Sequence, residues 1–106
     1  MTVHELIDRS GLPVVHLEPD REVTKPFCCD LLSVAMARAP EGGVWVTVMG
    51  NRNVIAVASL ADVACVVLAE GYDYDADAVS AADGNVTLLR SSEPVYETAL
   101  QLGQML

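Results

Sequence analysis

The chain has 106 residues, 52% of them apolar, with 5% aromatics and a formal net charge of −9. This is too apolar for a disordered tail and the right size for a single domain spanning residues 1–106, with a core of Val, Leu, Ala, Ile and Met. Its six basic residues, Arg9, Arg21, Lys25, Arg38, Arg52 and Arg90, are scattered. That excludes the clustered cations of a nucleic-acid footprint and argues against an anionic membrane surface as partner.

Thr2-Val3-His4-Glu5 has the spacing of a helix capping box, and Gly11 and Pro13 stop the helix it would start. Leu12–Leu17 reads as a strand. A turn at Pro19-Asp20-Arg21 follows, then a short extended piece at Glu22-Val23-Thr24, and Pro26 breaks what comes next. Asp30 is the expected N-cap of a helix over Leu31–Arg38, ended by Pro40 and Gly42-Gly43. Val44–Met49 is short and rich in β-branched residues, as expected of a strand buried on both faces.

Gly50-Asn51-Arg52-Asn53 is a turn, and Val54, Val57, Ala58 and Ala61 follow at helical spacing. Ala64–Leu68 is a second buried strand, with Asp62 marking the boundary. Asp75 or Asp77 caps a short helix to about Ala82. Val86–Leu89 is a strand. Ser91 or Ser92 caps a last helix with Pro94 in its first turn and Val95, Ala99 and Leu102 on one face. Strands alternating with helices predict an α/β fold, with a mainly parallel sheet of four to five strands and helices on both faces.

No apolar run reaches the length of a membrane span. The N-terminus has no basic region leading an apolar stretch, so the expected location is cytoplasmic. Cys28, Cys29 and Cys65 are then expected as free thiols. The Cys28-Cys29 pair stands at a predicted helix start, where a thiolate would be stabilised, but no CxxC spacing supports a metal and none is assigned. Neither His4 nor His16 has a sequence-local partner, and a structural role is the simpler reading for both. The acids from Asp73 to Asp77 lack calcium-loop spacing and read as a solvated face. No phosphate loop, nucleophile elbow or HExxH motif is present, so an enzyme is not expected and no catalytic residue or cofactor is assigned. An aliphatic content this high on a small domain points to apolar surface shared between copies, and a homo-oligomer is expected.

Ligands of open parallel sheets bind beyond the carboxyl ends of the strands. Three loops should lie there: Gly50–Asn53, Ala69–Gly71 and Arg90–Ser92. The first has the best physical case. Gly50 permits close backbone approach, Asn51 or Asn53 can cap the helix, and the free N–H groups of its first turn favour an anion. Arg52 can grip a phosphate or carboxylate bidentately. The competing reading pairs Arg52 with Glu70 or another acid and leaves the asparagines as simple caps.

The segment Gly50-Asn51-Arg52-Asn53-Val54-Ile55, the helix after it, the strand Cys65–Leu68 and Ala69-Glu70-Gly71 together resemble the core of the DRTGG domain. That family has a Gly-Asp-Arg turn before a helix and a Thr-Gly-Gly turn after the next strand. Gly50, Arg52 and Gly71 keep the pattern; Asn51 replaces Asp, and Ala69 and Glu70 replace Thr and the first Gly. Asp30-Leu31-Leu32-Ser33 resembles the Gly-Asp-Leu-Leu-Ser helix start of stand-alone members, and the resemblance covers roughly residues 27–103. It implies a fold similar to the N-terminal domain of HPr kinase/phosphorylase. It also implies a regulatory or ligand-sensing role like that of the DRTGG domain in long phosphotransacetylases. The ligand-binding residues would be Gly50, Asn51, Arg52, Asn53, Glu70 and Gly71. Stand-alone members often accompany iron–sulfur hydrogenase-type proteins, which implies a redox partner as an alternative to a small ligand.

Overall fold

A computed structural model describes residues 1–106. Five strands form one sheet in the order β1-β5-β4-β3-β2, with β1 at Val14–His16, β2 at Pro26–Cys28, β3 at Val44–Thr47, β4 at Cys65–Leu68 and β5 at Thr87–Arg90. Strands β2 to β5 run parallel in chain order, and β1 pairs antiparallel with β5. The helices are α1 (Val3–Ser10), α2 (Leu32–Arg38), α3 (Arg52–Leu60), α4 (Ala76–Ala82) and α5 (Val95–Met105). The expected α/β architecture is present, with five strands and helices on both faces. No helix is long and apolar enough to cross a membrane.

The order of the parallel strands decides where the helices lie. Each crossover from β2 to β5 steps to the neighbouring strand in the same direction, and right-handed crossovers of that kind put their helices on one face. Trp45, Val66, Leu68 and Leu88 accordingly pack with Ala35 of α2, Val54, Ile55 and Ala58 of α3, and Ala78 and Ala82 of α4. Val44, Val46, Cys65, Val67 and Leu89 face the other way, onto Val3 and Leu6 of α1 and Leu102 of α5. β3 and β4 are buried at every position, as their unbroken apolar runs predict.

Local signals were followed at some element ends and overridden at others. The Thr2–Glu5 capping box forms in both directions, and Gly11 closes α1 at φ 70°. Pro26, in contrast, does not break the chain but opens β2, in register with Val44. β2 is an edge strand, and the first residue of an edge strand needs no N–H. Asp30 does not cap α2: Leu31 holds the N-cap position without a side-chain bond. The Asp30 carboxylate instead accepts from the Thr47 hydroxyl at 2.8 Å and the Val48 N–H at 2.9 Å. These bonds, with Met49 N–H donating to the Thr47 oxygen, draw the backbone out of the sheet, so β3 ends at Thr47 rather than Met49. Asp75 holds the N-cap position of α4, again without a side-chain bond.

Candidate functional site

The carboxyl ends of β3, β4 and β5 carry the three loops singled out in the sequence. In the first, Asn51 is the N-cap of α3, its side-chain oxygen accepting from the Val54 N–H at 3.1 Å. The backbone N–H groups of Gly50, Asn51, Arg52 and Asn53 have no acceptor within the protein. Arg52 is exposed and forms no ion pair. Its side chain lines an open cavity of about 300 Å³ along α3, together with Ile55, Ala56, Ser59, Leu60, Ala81 and Asn85. Asn53 is exposed beside it.

Gly50 is held by packing. A Cβ there would stand 2.9 Å from Leu68 Cδ2 and 3.0 Å from the Asp73 carbonyl oxygen. Its own carbonyl accepts from the Asp75 N–H at 2.8 Å. The Asp73–Asp75 segment is thereby laid against the turn after β3, so Gly50 serves close approach by protein backbone.

Glu70 and Gly71 belong to a different arrangement. Both adopt left-handed backbone, at φ 65° and 73°. Their N–H groups donate to the carbonyls of Glu93 and Ser91, at 2.8 and 3.0 Å, which continues the β4–β5 pairing beyond the strands. The Glu70 carboxylate accepts from the Val95 N–H at 2.8 Å, in the first turn of α5. Glu70 and Arg52 are not paired and share no cavity. The six residues expected at one site thus fall into two groups, Gly50–Asn53 at α3 and Glu70–Gly71 at α5.

The third loop is occupied in a similar way. Arg90 donates to the Tyr72 and Gly71 carbonyls and pairs with Asp73 at 2.9 Å. The hydroxyls of Ser91 and Thr98 are 2.7 Å apart and buried, and the Ser91 oxygen accepts from the Glu93 N–H. Neither Ser91 nor Ser92 caps α5; Pro94 stands at the N-cap, and Glu70 supplies the acceptor from a neighbouring loop. The chain changes face at this point, because α4 and α5 lie on opposite sides of the sheet. An open cavity of about 280 Å³ remains there, lined by Leu12, Pro13, Arg90, Ser91, Ser92 and Glu93, while the Ser91 hydroxyl itself is turned inward onto Thr98.

The cysteines do not converge. Cys28 lies in β2 rather than at a helix start, and burial with the nearby Asp30 charge pushes its thiol up. Cys29 packs against the α2–α3–α4 side, while Cys65 is enclosed on the α1–α5 side, where burial pushes its thiol up to about 12. Both histidines have partners, and that of His16 is close in sequence. His16 Nε2 lies 2.5 Å from Glu18 Oε2, and His4 Nε2 lies 3.2 Å from the Glu18 carbonyl. The pairing with Glu18, two residues beyond His16, was visible as a spacing. It gained meaning only once the fold fixed Glu18 through its bonds to Thr87 and Gly84.

No family model matches the chain, and no curated protein matches it. The DRTGG resemblance therefore rests on the residues quoted for it above.

Proposed function

We propose that this chain is a non-catalytic regulatory or ligand-sensing module, of DRTGG-like fold, that binds an anionic metabolite or nucleotide at the Gly50–Asn53 turn. One observation carries the reading: the first turn of α3 presents a run of backbone N–H groups without acceptors, and it carries Arg52 and no acid. A helix N-terminus has a partial positive charge, which a carboxylate in the first turn usually offsets. A cation there adds to the imbalance, and a bound anion corrects it. Arg9, Lys25 and Arg38 are also free of ion pairs, but none of them starts a helix. Donors and a guanidinium hold an anion without attacking it or taking a proton from it, which favours binding over catalysis. Glu70 and Gly71 enter this reading as the neighbouring loop, with the Glu70 carboxylate already committed to α5.

The test is a thermal-shift series with inorganic phosphate, AMP, ATP and a dicarboxylate, backed by amide chemical-shift mapping. At least one anion should raise the melting temperature and move the amide signals of residues 50–53. Arg52→Ala should abolish both responses while leaving the unliganded protein folded. No response to any of these anions at millimolar concentration would sink the reading.

A second reading is a homo-oligomeric assembly module without a small ligand. It is favoured by α2, where only Ala35 is fully buried and Leu31, Val34 and Met36 are 59%, 38% and 50% exposed. Apolar side chains this exposed along one short helix suit contact with a second copy. Light scattering after size exclusion tests it, and a strict monomer at high micromolar concentration would remove its support. The iron–sulfur partner rests on the resemblance alone.

A further inference from the structure

We propose that His16, Glu18 and Asp83 form a binding site for a divalent first-row transition metal of the zinc class. The site lies at the opposite edge of the sheet from the Gly50–Asn53 turn, where β1 ends and β5 begins. His16 is the last residue of β1, and Asp83 is the C-cap of α4. One ligand atom from each of the three residues lies within 4.8 Å of the other two. A metal with ligand bonds of about 2.0–2.2 Å separates its donors by about 3–4 Å, so small side-chain adjustments would close the site.

Charge and burial both favour a cation. The His16 and Glu18 side chains are only 20% and 19% exposed, while Asp83 is exposed. No lysine or arginine pairs with Glu18 or Asp83. Two carboxylates thus face one imidazole, and the Asp83 carboxylate has no hydrogen-bond partner. The donor set is selective as well. One imidazole nitrogen with two carboxylates suits zinc, cobalt or nickel better than calcium or magnesium, which prefer oxygen alone.

The surroundings hold the ligands ready. The Glu18 N–H donates to the Thr87 hydroxyl at 3.0 Å, and Thr87 is buried on β5. Glu18 Oε2 accepts from the Gly84 N–H at 2.9 Å, while Oε1 has no protein partner and is free to coordinate. Coordination through Nε2 would replace its present bond to Glu18 Oε2 and place the remaining ring proton on Nδ1, which has no protein partner. The ion would tie the end of β1 to the α4–β5 turn, leaving its other coordination positions to water.

The experiment is calorimetric titration of the chelator-stripped full chain with Zn²⁺, repeated with Co²⁺ for its visible spectrum. One equivalent should bind with a Kd below about 10 µM and raise the melting temperature. The Co²⁺ spectrum should show no thiolate-to-metal charge-transfer band. Asp83→Asn removes a carboxylate that bonds to nothing, so it should leave the metal-free melting temperature unchanged and weaken binding by at least about tenfold. His16→Gln should abolish binding. Three results would each overturn the proposal: no saturable 1:1 binding, wild-type affinity in Asp83→Asn, or a charge-transfer band placing the ion on cysteine.

Discussion

The Glu70 carboxylate accepts a hydrogen bond from the Val95 N–H at 2.8 Å, across 25 positions of sequence. It does for α5 what a capping serine does elsewhere, and its charge meets the positive end of the helix. Glu70 reaches that position from a left-handed backbone that a side chain with a Cβ adopts at a cost.

Those two effects oppose each other and can be separated. Glu70→Ala keeps the backbone cost and loses the cap, so it should destabilise the fold by about 1 kcal/mol. Glu70→Gly loses the cap and relieves the backbone, so its loss should be clearly smaller. Urea denaturation of the two variants measures the difference, and an alanine variant as stable as the parent would show that the bond is not needed.

Gly50→Ala should cost more, about 1–3 kcal/mol. Leu68 Cδ2 can rotate away from the new methyl group, but the Asp73 carbonyl at 3.0 Å and Tyr74 Cα at 3.2 Å are backbone. The expected relief is displacement of the Asp73–Asp75 segment, read as loss of exchange protection at the Asp75 N–H, which bonds to Gly50.

Arg21 and Asp62 form the ion pair whose loss should be visible in acid. The guanidinium beside Asp62, through its hydrogen bonds and charge, holds that carboxyl below its usual value. A carboxyl depressed in the folded state contributes stability above its unfolded pKa of about 4, and loses that contribution as pH falls through the lower folded value. The Asp62 side chain is 56% exposed, so solvent screening limits the contribution to about 0.5 kcal/mol. Arg21→Gln should therefore lower the melting temperature at pH 7, and the gap from the parent should narrow as pH falls below about 4. A gap that persists unchanged into acid would mean that Arg21 acts through packing.

The three thiols should differ in reactivity. Cys65 is fully enclosed, and burial pushes its thiol up to about 12, so at pH 8 almost none of it is thiolate in the folded protein. A disulfide reagent should label Cys28, which is exposed, and reach Cys65 only at the rate of global unfolding. Labelling of Cys65 without denaturant as fast as Cys28 would contradict the enclosed core.

The sequence alone determined the layers of this protein. Helix and strand periods, the Thr2–Glu5 box, the Asn51 cap and the two apolar strands are local signals, and each is answered in the structure where it stands. Only the tertiary structure decided the roles of residues whose partners are distant in the chain. Asp30 left its helix for the end of β3, Pro26 became tolerable because β2 lies at an edge, and Glu70 replaced the serines at α5. The physical reason is the same in each case. A carboxylate or a backbone N–H bonds to whatever the fold brings within 3 Å, and strand order sets those distances. Neighbouring strands β3 and β4 bring the Arg52 and Glu70 loops to the same end of the sheet, but α3 and α5 start on opposite faces, and the bond from the Val95 N–H commits the Glu70 carboxylate to α5.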